Sequence, residues 1–512
     1  MYRNGLLLLT GFLSASSVFA RQSDLQKIQS YRQAGAHAIL QEYFSLLSLP
    51  NVATDSMAIE KNAAFIMQMM KKRKIEKVQL LRPGGKGGPP AVYGEVNVPG
   101  ATRTLVFYAH YDGQPVNPKT WAAGLHPFQP KLVNGDIKKN GRIIPFPAKN
   151  TKPDASWRIY ARSASDDKAG VMAVLAAYDA LADIGKKPSC NIKFFFEGEE
   201  EQGSPHLASI LDRYRDLLQS DAWVICDGPV HSSGKKQVIF GVRGDTQLTL
   251  KIFGPKNPLH SGHYGNWVPN PVMMMAKLLA SMKDDSGRVT VKGFYDDVVP
   301  LSEQEKTALA GLPEMDAALK KSIGFSEEEM KGQKLVEAIA WPSLNINGIE
   351  SSNTGTIAGN IIPTAVTAVL DLRLVKGNDW QRQQQKVLDH IQEQGFYITE
   401  KEPTDDERSR YPKIVMITRE TGYNAQRTDM RAPVVQKIVA AIKKAVDGEL
   451  LLVPTLGGSL PLFLFEKHLK ALPVVVCLTN PDSNQHAENE NIMLQYLWEG
   501  IDMMAAVMLA EL

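Results

Sequence analysis

The amino-acid sequence predicts an α/β fold, in which a mixed β-sheet flanked by helices is interrupted by an inserted α+β domain. Three observations predict this architecture. Helix and strand patterns alternate from about residue 25 to about residue 235, which is typical of a parallel or mixed sheet covered by helices. After about Gln237, apolar and polar residues alternate along the strands, as in strands with one solvated face. From about Asp429 the first pattern returns, so the second domain is expected inside the first.

The first unit contains two clear helix patterns and four apolar strand patterns. We predict helices at Ser56–Lys72 and Lys168–Ile184, and the second is followed by Gly185 and Pro188, which end helices. We predict strands at Ala91–Val98, Thr104–Ala109, Ile192–Phe196 and Ala222–Cys226. This order predicts a sheet whose strands are connected through covering helices.

The rest of the chain divides into the inserted unit and a returning unit. In the inserted unit we predict strands at Thr246–Phe253 and Thr364–Leu374 and helices at Asn270–Met282 and Asp379–Gln394. In the returning unit we predict a helix at Val434–Val446, a strand at Val474–Leu478 and a closing helix at Ile492–Leu509. The predicted domains are a signal peptide (1–20), a first part of the main domain (21–236), the inserted domain (237–420) and a second part of the main domain (421–512).

The composition excludes several classes of protein. Of the 512 residues, 44% are hydrophobic and 22% are charged, which is an ordinary globular composition and excludes a mostly disordered chain. The 58 Lys and Arg residues against 55 Asp and Glu residues give a net charge of +3, too weak to indicate a nucleic-acid or membrane-surface partner. Three cysteines allow at most one disulfide. A Cys190–Cys226 bridge and buried, unpaired thiols are both open alternatives.

The first twenty residues are expected to be an export signal. Arg3 supplies a short positive region, Leu6–Leu13 is almost wholly apolar, and Val18 and Ala20 occupy the positions that a signal peptidase recognises. A buried N-terminal helix is the alternative. No other stretch reaches roughly 18 consecutive apolar residues, so no membrane span is expected after signal removal. The mature chain is expected outside the cytoplasm, most simply in a bacterial periplasm.

Five acidic and histidine side chains lie where α/β proteins build their sites. His110, Glu200-Glu201 and Asp227 lie at or just beyond the carboxyl ends of predicted strands, and Asp166 precedes a predicted helix. Taken singly, such residues are ordinary solvated turns or helix caps. Together they form a nitrogen and oxygen set that suits zinc or a similar divalent ion. A bridging Asp would allow two ions about 3.5 Å apart.

The motifs around these residues resemble one family, the co-catalytic zinc metallopeptidases that include carnosinase-type dipeptidases, glutamate carboxypeptidase and aminoacylase. The matching segments are His110-Tyr-Asp112-Gly, Arg162-Ser-Ala-Ser-Asp166-Asp167-Lys168-Ala-Gly170, Glu197-Gly-Glu-Glu200-Glu201-Gln-Gly203-Ser204, Asp227 and His486. They occur in the family's order and span most of the mature chain. The motifs are most similar to those of the carnosinase-type dipeptidase branch.

The resemblance implies a fold and a set of metal ligands. The main domain would be zinc-exopeptidase-like, and the inserted domain would be a ferredoxin-like lid through which two chains form a homodimer. His110 and Asp227 would hold one divalent ion, and Glu201 and His486 would hold the other. Asp166 would bridge the two ions, with a cis peptide bond after it. Zn²⁺ is the expected metal, and Mn²⁺ and Co²⁺ are the alternatives.

The resemblance also implies three catalytic residues. Glu200 would be the general base that takes a proton from a metal-bridging water and passes it to the leaving amine. Asp112 would orient His110 through the second ring nitrogen. His260, in the segment Pro258-Leu-His-Ser-Gly262, would reach the active site of the partner subunit and stabilise the oxyanion. An exposed loop histidine is the alternative for His260.

Four further residues are implied to bind substrate. Arg373 would hold a free α-carboxylate, because its planar guanidinium binds both oxygens. Asn360, in Asn360-Ile-Ile-Pro363, would add substrate contacts. Gly458 and Ser459 would meet the same carboxylate end through backbone N–H groups and a hydroxyl. The alternatives are an exposed strand residue for Arg373 and an ordinary Gly-rich turn for the glycine segment.

The sequence therefore predicts an exported, metal-dependent exopeptidase that hydrolyses dipeptides or short peptides. An amidohydrolase of N-acyl amino acids or carbamoyl compounds is the alternative, because the same site performs both reactions. A non-catalytic binding protein on this fold is a third hypothesis. It predicts missing ligands, whereas all five expected ligands and the expected base are present.

Overall fold

The computed structural model describes residues 23–85, 87–458 and 460–512. The predicted signal peptide at 1–20 and the predicted substrate residue Ser459 lie outside these ranges. Within them, no helix combines the length and the apolar character that crossing a bilayer requires.

The described residues form fourteen α-helices. They are α1 (Asp24–Leu47), α2 (Ser56–Lys72), α3 (Lys168–Asp183), α4 (Leu207–Arg213), α5 (Ser261–Tyr264), α6 (Pro271–Ala280), α7 (Glu303–Ala310), α8 (Asp316–Ile323), α9 (Leu335–Ala338), α10 (Trp380–Glu393), α11 (Asp405–Arg410), α12 (Pro433–Ala445), α13 (Phe463–Leu469) and α14 (Leu494–Met508). Side-chain caps fix several starts: Ser23, Asp55 and Asp379 each accept a hydrogen bond from a backbone N–H of the first turn.

The same residues form twenty-one strands. They are β1 (Glu76–Leu81), β2 (Ala91–Val96), β3 (Thr104–His110), β4 (Lys131–Val133), β5 (Ile143–Ile144), β6 (Arg158–Tyr160), β7 (Asn191–Glu197), β8 (Ala222–Ile225), β9 (Gln237–Ile239), β10 (Gly241–Val242), β11 (Gly244–Phe253), β12 (Leu259–His260), β13 (Ser343–Glu350), β14 (Ile361–Ile362), β15 (Ala365–Leu374), β16 (Tyr397–Thr399), β17 (Ile414–Arg419), β18 (Gln426–Arg427), β19 (Leu451–Val453), β20 (Pro473–Val476) and β21 (Asn491–Met493).

Eight strands form a large mixed sheet with the order β1-β2-β7-β3-β8-β20-β9-β19. The central strands β7, β3, β8 and β20 are parallel to one another, whereas β2–β7 and β20–β9 are antiparallel. Alternate side chains of β3 enter two different cores: Leu105 and Phe107 pack towards α3 and α14, and Val106 and Tyr108 pack towards α4 and α13. Helices thus cover both faces of this sheet, as the near-continuous apolar strands predict.

Five strands form a smaller sheet with the order β13-β15-β11-β17-β16. In chain order, β11, α6, β13, β15, α10 and β17 form a βαββαβ unit, and its four strands have the ferredoxin-like arrangement. Leu248, Leu250 and Ile252 of β11 are buried against α6 and α10, while the residues between them are half-exposed. The predicted fold class, a helix-flanked mixed sheet with an α+β insertion, is therefore confirmed.

Two very short strands lie where the chain passes between the sheets. β10 and β18 pair antiparallel, so the outgoing and returning segments run side by side. β9 still belongs to the large sheet, although the predicted inserted domain begins at its first residue, Gln237. The division of the chain into domains at 237 and 420 stays a prediction.

The structure differs from the sequence prediction at both ends of the described chain. The closing helix is predicted from Ile492, but Asn491–Met493 is strand β21, which pairs with β6, and α14 begins at Leu494. The long N-terminal helix α1 was not predicted. Neither was the four-stranded sheet of β21, β6, β4 and β5, because strands of two or three residues are too short to show a period.

Cys190, Cys226 and Cys477 are all free and buried. The structure therefore favours the alternative in which the cysteines are unpaired core residues. Cys226 contacts the sulfur of Met504 at 3.3 Å, which is typical of a thiol that packs as a small apolar side chain.

Gly170 marks a very close approach between α3 and the large sheet. A Cβ atom at Gly170 would lie 2.3 Å from the backbone oxygen of Cys226. Because a backbone carbonyl cannot turn aside, Gly170→Ala is expected to lower the free energy of unfolding by about 1–3 kcal/mol. Gly35→Ala in α1 is the control, since the nearest atom is 3.8 Å away, and it should be neutral or stabilising by up to about 1 kcal/mol. Urea unfolding that gave both variants equal stability would contradict this prediction.

Candidate metal centre

Three parallel strand ends place the predicted ligands at one edge of the large sheet. β3 ends at His110, β7 ends shortly before Glu200, and β8 ends shortly before Asp227. Since these strands are adjacent and parallel, their carboxyl ends meet at the same edge. Asp166 arrives from the segment before α3, and His486 arrives from the loop between β20 and β21.

Two histidines lie within contact distance of the carboxylates at this edge. His110 Nε2 is 2.9 Å from Asp166 Oδ1 and 3.7 Å from Asp227 Oδ2. His486 Nε2 is 3.0 Å from Asp166 Oδ2 and 3.1 Å from Glu201 Oε2. Each histidine thus faces a different oxygen of Asp166, which lies between two groups of ligand atoms. The peptide bond after Asp166 is cis, as the resemblance implies.

By distance alone, Asp167 is also a candidate for the ligand that lies beside His110. Ligand atoms of His110, Asp167 and Asp227 lie within 4.8 Å of one another. The Asp167 oxygens already accept backbone hydrogen bonds, however, from His110 N at 3.2 Å and from Gly170 N at 3.0 Å. Asp166 faces both histidines, so it is the better candidate for the bridging ligand.

The carboxylates of the cluster are largely buried and crowd negative charge together, whereas the His486 side chain is 60% exposed. Burial raises the pKa of Asp227 to about 7, and the neighbouring Asp166 adds to the shift. Burial also raises the pKa of Glu200 well above its ordinary value. Hydrogen bonds with Asp166 and Glu201 raise the pKa of His486 to about 10. Carboxylates this close together are costly to hold in ionised form unless cations lie among them.

The donor set fits two divalent ions. Metal–ligand distances of roughly 2.0–2.2 Å place neighbouring ligand atoms about 3–3.6 Å apart, depending on the coordination geometry, which is close to the 2.9–3.7 Å spacing of the atoms here. His110, Asp166 and Asp227 would hold one ion, and Asp166, Glu201 and His486 would hold the other. Mixed imidazole and carboxylate ligands suit Zn²⁺, Mn²⁺ or Co²⁺. Several of these ligands line a cavity of about 390 Å³, so a small substrate can reach the cluster.

Asp112 connects two of the ligand segments. Its Oδ1 lies 3.3 Å from His110 Nδ1, the ring nitrogen opposite the cluster. Its two oxygens also accept hydrogen bonds from the backbone N–H groups of Glu200 and Glu201, at 3.1 and 3.0 Å. Gln114, which sequence reasoning missed, donates from Nε2 to Glu201 Oε2 at 2.8 Å. Its signal in the sequence was its spacing, since alternate residues of an extended segment share a side.

Glu490 is the second residue that sequence reasoning missed. It is fully buried and accepts hydrogen bonds from the backbone N–H groups of Ser163, Ser165 and Asp166. Ser165 and Asp166 donate to Oε1, whereas Ser163 donates to Oε2, which also pairs with Arg162 at 2.8 Å. One carboxylate thus holds the whole turn that presents Asp166. The available signal was an acidic residue four positions after the last predicted ligand.

The described residues predicted to bind substrate, and the predicted catalytic residue His260, are divided between two places. Gly458 lines the cavity at the metal cluster. His260, Asn360 and Arg373 lie on the inserted unit, and none of them is among the described residues that line this cavity. His260 and Asn360 are exposed, on paired segments in which Ser261 N donates to the Asn360 carbonyl oxygen at 2.9 Å.

The fold and the site together define a class, the metal-dependent peptidases with two adjacent cation sites at the edge of a mixed sheet. The family model described as peptidase family M20/M25/M40 matches residues 106–510. The chain belongs to this family. The resemblance seen in the sequence motifs and the predicted enzyme class are therefore confirmed.

The curated relatives are distant in sequence, but their similarity extends over most of the chain. A Beta-Ala-His dipeptidase of Homo sapiens is 26% identical over 82% of this chain and 77% of its own length. A Cys-Gly metallodipeptidase, DUG1, of Candida albicans is 24% identical over 87% of this chain and 89% of its own. The solved structure of an M20 family metallo-carboxypeptidase, Sso-CP2, from Sulfolobus solfataricus has a TM-score of 0.71 at 28% identity, covering 92% of this chain and 98% of its own.

Glu490→Gln tests whether this carboxylate supports the turn that presents Asp166. The glutamine amide points an N–H group at some of the N–H donors that the carboxylate now accepts from, and it removes the negative charge that pairs with Arg162. The free energy of unfolding should therefore fall by about 3–5 kcal/mol. Glu60→Gln is the control, because Glu60 pairs with Arg82 at the surface and should contribute only about 0–1 kcal/mol. Chemical unfolding measures both variants. A Glu490→Gln variant as stable as the control would contradict the role given to Glu490.

Proposed function

We propose that this chain is a metal-dependent exopeptidase that hydrolyses dipeptides or short peptides. The observation that carries the proposal is the position of Asp166 between two histidines, with Glu200 Oε2 3.9 Å from His110 Nε2. Family membership supports the reaction class, and two relatives named as dipeptidases support short peptides as substrates. An amidohydrolase of N-acyl or carbamoyl compounds remains the alternative that the experiment below separates.

Glu200 is the proposed general base. Its side chain is 13% exposed and borders the cavity, and Asp112 fixes the position of its backbone N–H. Burial raises its pKa, which favours its taking a proton from the attacking water and passing it to the leaving amine. Asp112 is assigned a positioning role, because it contacts His110 and the backbone of the ligands rather than the cavity.

Two divalent ions would complete the site, and zinc is the proposed metal, with manganese and cobalt as alternatives. When bound, such ions polarise the scissile carbonyl and lower the pKa of water. The protein contributes the spacing of the ligands, through Asp166, Glu490 and Asp112. It also contributes the cavity that confines the substrate beside Glu200.

Arg373, Asn360, Gly458 and Ser459 are the proposed partners of the substrate's free carboxylate. Gly458 supports this proposal because it lines the cavity together with the metal ligands. Arg373 is one third exposed, and its Nε lies 3.1 Å from Asp371 Oδ2, which holds the guanidinium in place. We propose that the inserted unit closes over the cavity during turnover and brings Arg373 to the carboxylate.

A homodimer through the inserted unit is also proposed. β13 is an edge strand of the smaller sheet, and most of its residues are exposed, including Ile346 and Ile349. Trp267, close to His260 in sequence, is 79% exposed. An exposed edge strand and large exposed apolar side chains are typical of an interface. His260, which lies outside the cavity of its own chain, would then act on the site of the partner.

Export to a bacterial periplasm is the proposed location. The support is the pattern of a positive residue, an apolar run and small residues within 1–20. Cell fractionation with N-terminal sequencing of the mature protein should find a chain that begins near Arg21 in the periplasmic fraction. A cytoplasmic protein with its first twenty residues intact would contradict export.

A substrate panel tests the proposed reaction. Metal-reconstituted protein should hydrolyse dipeptides faster than the matching N-acetyl and N-carbamoyl amino acids. A chelator should abolish the activity, and Zn²⁺, Mn²⁺ or Co²⁺ should restore it. Thermal unfolding should also shift upward when metal is added, because a ligand of the native state stabilises it. Faster hydrolysis of the N-acyl or N-carbamoyl compounds would favour the alternative function.

Glu200→Ala tests the base. The five ligands remain, so the variant should bind as much metal as the wild type while kcat falls by about 10²–10⁴-fold. Metal content is measured by elemental analysis of the purified variant. Near-normal turnover with metal bound would show that the proton acceptor is another group.

Mixing two variants tests whether His260 acts across a dimer. His260→Ala and Glu200→Ala should each be nearly inactive alone. After joint refolding or subunit exchange, a mixed dimer contains one site with both Glu200 and the partner's His260, so part of the activity should return. A mixture as inactive as its components, in a sample shown to be dimeric, would contradict action across the dimer.

A further inference from the structure

The cavity beside the metal cluster has two chemically different sides. One side carries the acidic and histidine residues of the cluster: Asp166, Glu200, Glu201, Asp227 and His486. The other side is mainly apolar, and the uncharged polar residues Gln237, Tyr423 and Gln485 also line the cavity. Its apolar residues are Ile239, Leu456, Leu460, Pro461, Val475 and Cys477. The first side accounts for the reaction. The second is not used by any step proposed above, and its chemistry indicates what part of the substrate it receives.

The floor of the apolar side is part of the large sheet. Ile239 of β9 lies directly opposite Val475 of β20, and Cys477 follows two residues later on the same face. All three side chains belong to one buried core cluster and are at most 3% exposed. The floor is therefore packed from below and cannot rearrange easily to accept a charged group.

The wall of the apolar side is the turn that also contains Gly458. Leu456 N donates to the Gly241 carbonyl oxygen at 2.8 Å, and Arg243 N donates to the Gly458 carbonyl oxygen at 3.3 Å. These bonds attach the turn to the segment around β10. Leu456 and Leu460 flank Gly458 in the chain and line the same cavity, so a residue whose carboxylate met Gly458 would have these two leucines close to its side chain.

The charges of the residues that line the cavity also favour an uncharged, apolar substrate side chain. None of the described residues that line the cavity is Lys or Arg, and Arg373, which is proposed to close over it, is assigned to the free α-carboxylate, so an acidic substrate side chain meets no further basic residue. The carboxylates of the cavity are the metal ligands and the base, so a basic side chain meets no carboxylate free for pairing. Gln237 lines the floor, but its amide already donates to the Pro229 carbonyl oxygen at 2.9 Å. A charged side chain buried here would lose its hydration without compensation.

We propose that this apolar side selects dipeptides whose C-terminal residue has an uncharged, apolar side chain. Ile239, Val475 and Cys477 form the floor of the subsite, and Leu456 and Leu460 form its wall. This inference rests on the proposed dipeptidase function, and it adds the class of substrate that the function leaves open.

The test compares Gly-Leu, Gly-Val, Gly-Gly, Gly-Asp and Gly-Lys with the metal-loaded protein. kcat/KM for Gly-Leu and Gly-Val should exceed that for Gly-Asp and Gly-Lys by about tenfold or more. In the series Leu-Gly, Asp-Gly and Lys-Gly the spread should be smaller. Equal rates across the first series, or a preference for Gly-Asp or Gly-Lys, would overturn the selectivity. If no dipeptide in either series is cleaved, the proposed function itself fails.

Two wall variants assign the selectivity to these residues. Leu460→Glu and Leu456→Glu each place a carboxylate in the wall, so the ratio of kcat/KM for Gly-Lys over Gly-Leu should rise by about tenfold or more. Ile323→Glu is the matched control, because Ile323 is a 70% exposed apolar residue that does not line this cavity. The ratio of kcat/KM for Gly-Lys over Gly-Leu in this control should equal that of the wild type. Circular dichroism and metal content confirm that each variant is folded. Two folded wall variants with wild-type ratios would overturn the assignment.

Discussion

The structure depends on one constraint, which is that the carboxylate of Asp166 must lie between two histidines from distant parts of the chain. His110 and His486 each face one of its oxygens at about 3 Å. The large sheet makes this possible by ending three parallel strands at one edge, and the buried carboxylate of Glu490 holds the backbone that presents Asp166. The negative charge that results is unfavourable in a buried place unless cations share it. Bound cations would thus make so polar an edge compatible with an apolar core.

Much of the fold and most of the cluster could be predicted from the sequence, because both leave local signals. The apolar run of β3 ends at His110, so the sequence alone predicts that this histidine lies at the carboxyl end of a strand. The support around the cluster leaves no such signal. Glu490 is an ordinary acidic residue until the fold buries it beneath the turn of Asp166. Lys168 is similar: it is fully buried, and its amine donates to the backbone carbonyl oxygens of Leu46, at the end of α1, and Leu49, just after it, although lysine is rarely buried. Such partners depend on tertiary contacts, and a single sequence does not display them.

The two sheets differ in how much of their surface the rest of the chain covers. The large sheet is covered on both faces and provides a rigid edge, which suits ligands whose spacing must be kept to a few tenths of an ångström. The smaller sheet has one exposed face and an exposed edge strand, and it is joined to the large one near the short pair β10 and β18. The turn at Gly458 is bonded to this junction. Movement of the smaller sheet would therefore displace the apolar side of the cavity before it displaced the candidate metal ligands.

The inserted unit also has a consequence for how the protein is made. Four of the five ligands precede the insertion in the chain, and His486 follows it. During synthesis, the acidic ligands emerge long before the histidine that completes the second group, and the whole smaller sheet is made in the interval. The nascent chain therefore carries an incomplete, strongly acidic cluster until His486 has been made. Metal binding by the second candidate group would then follow synthesis of the inserted unit rather than guide the folding of the segments before it.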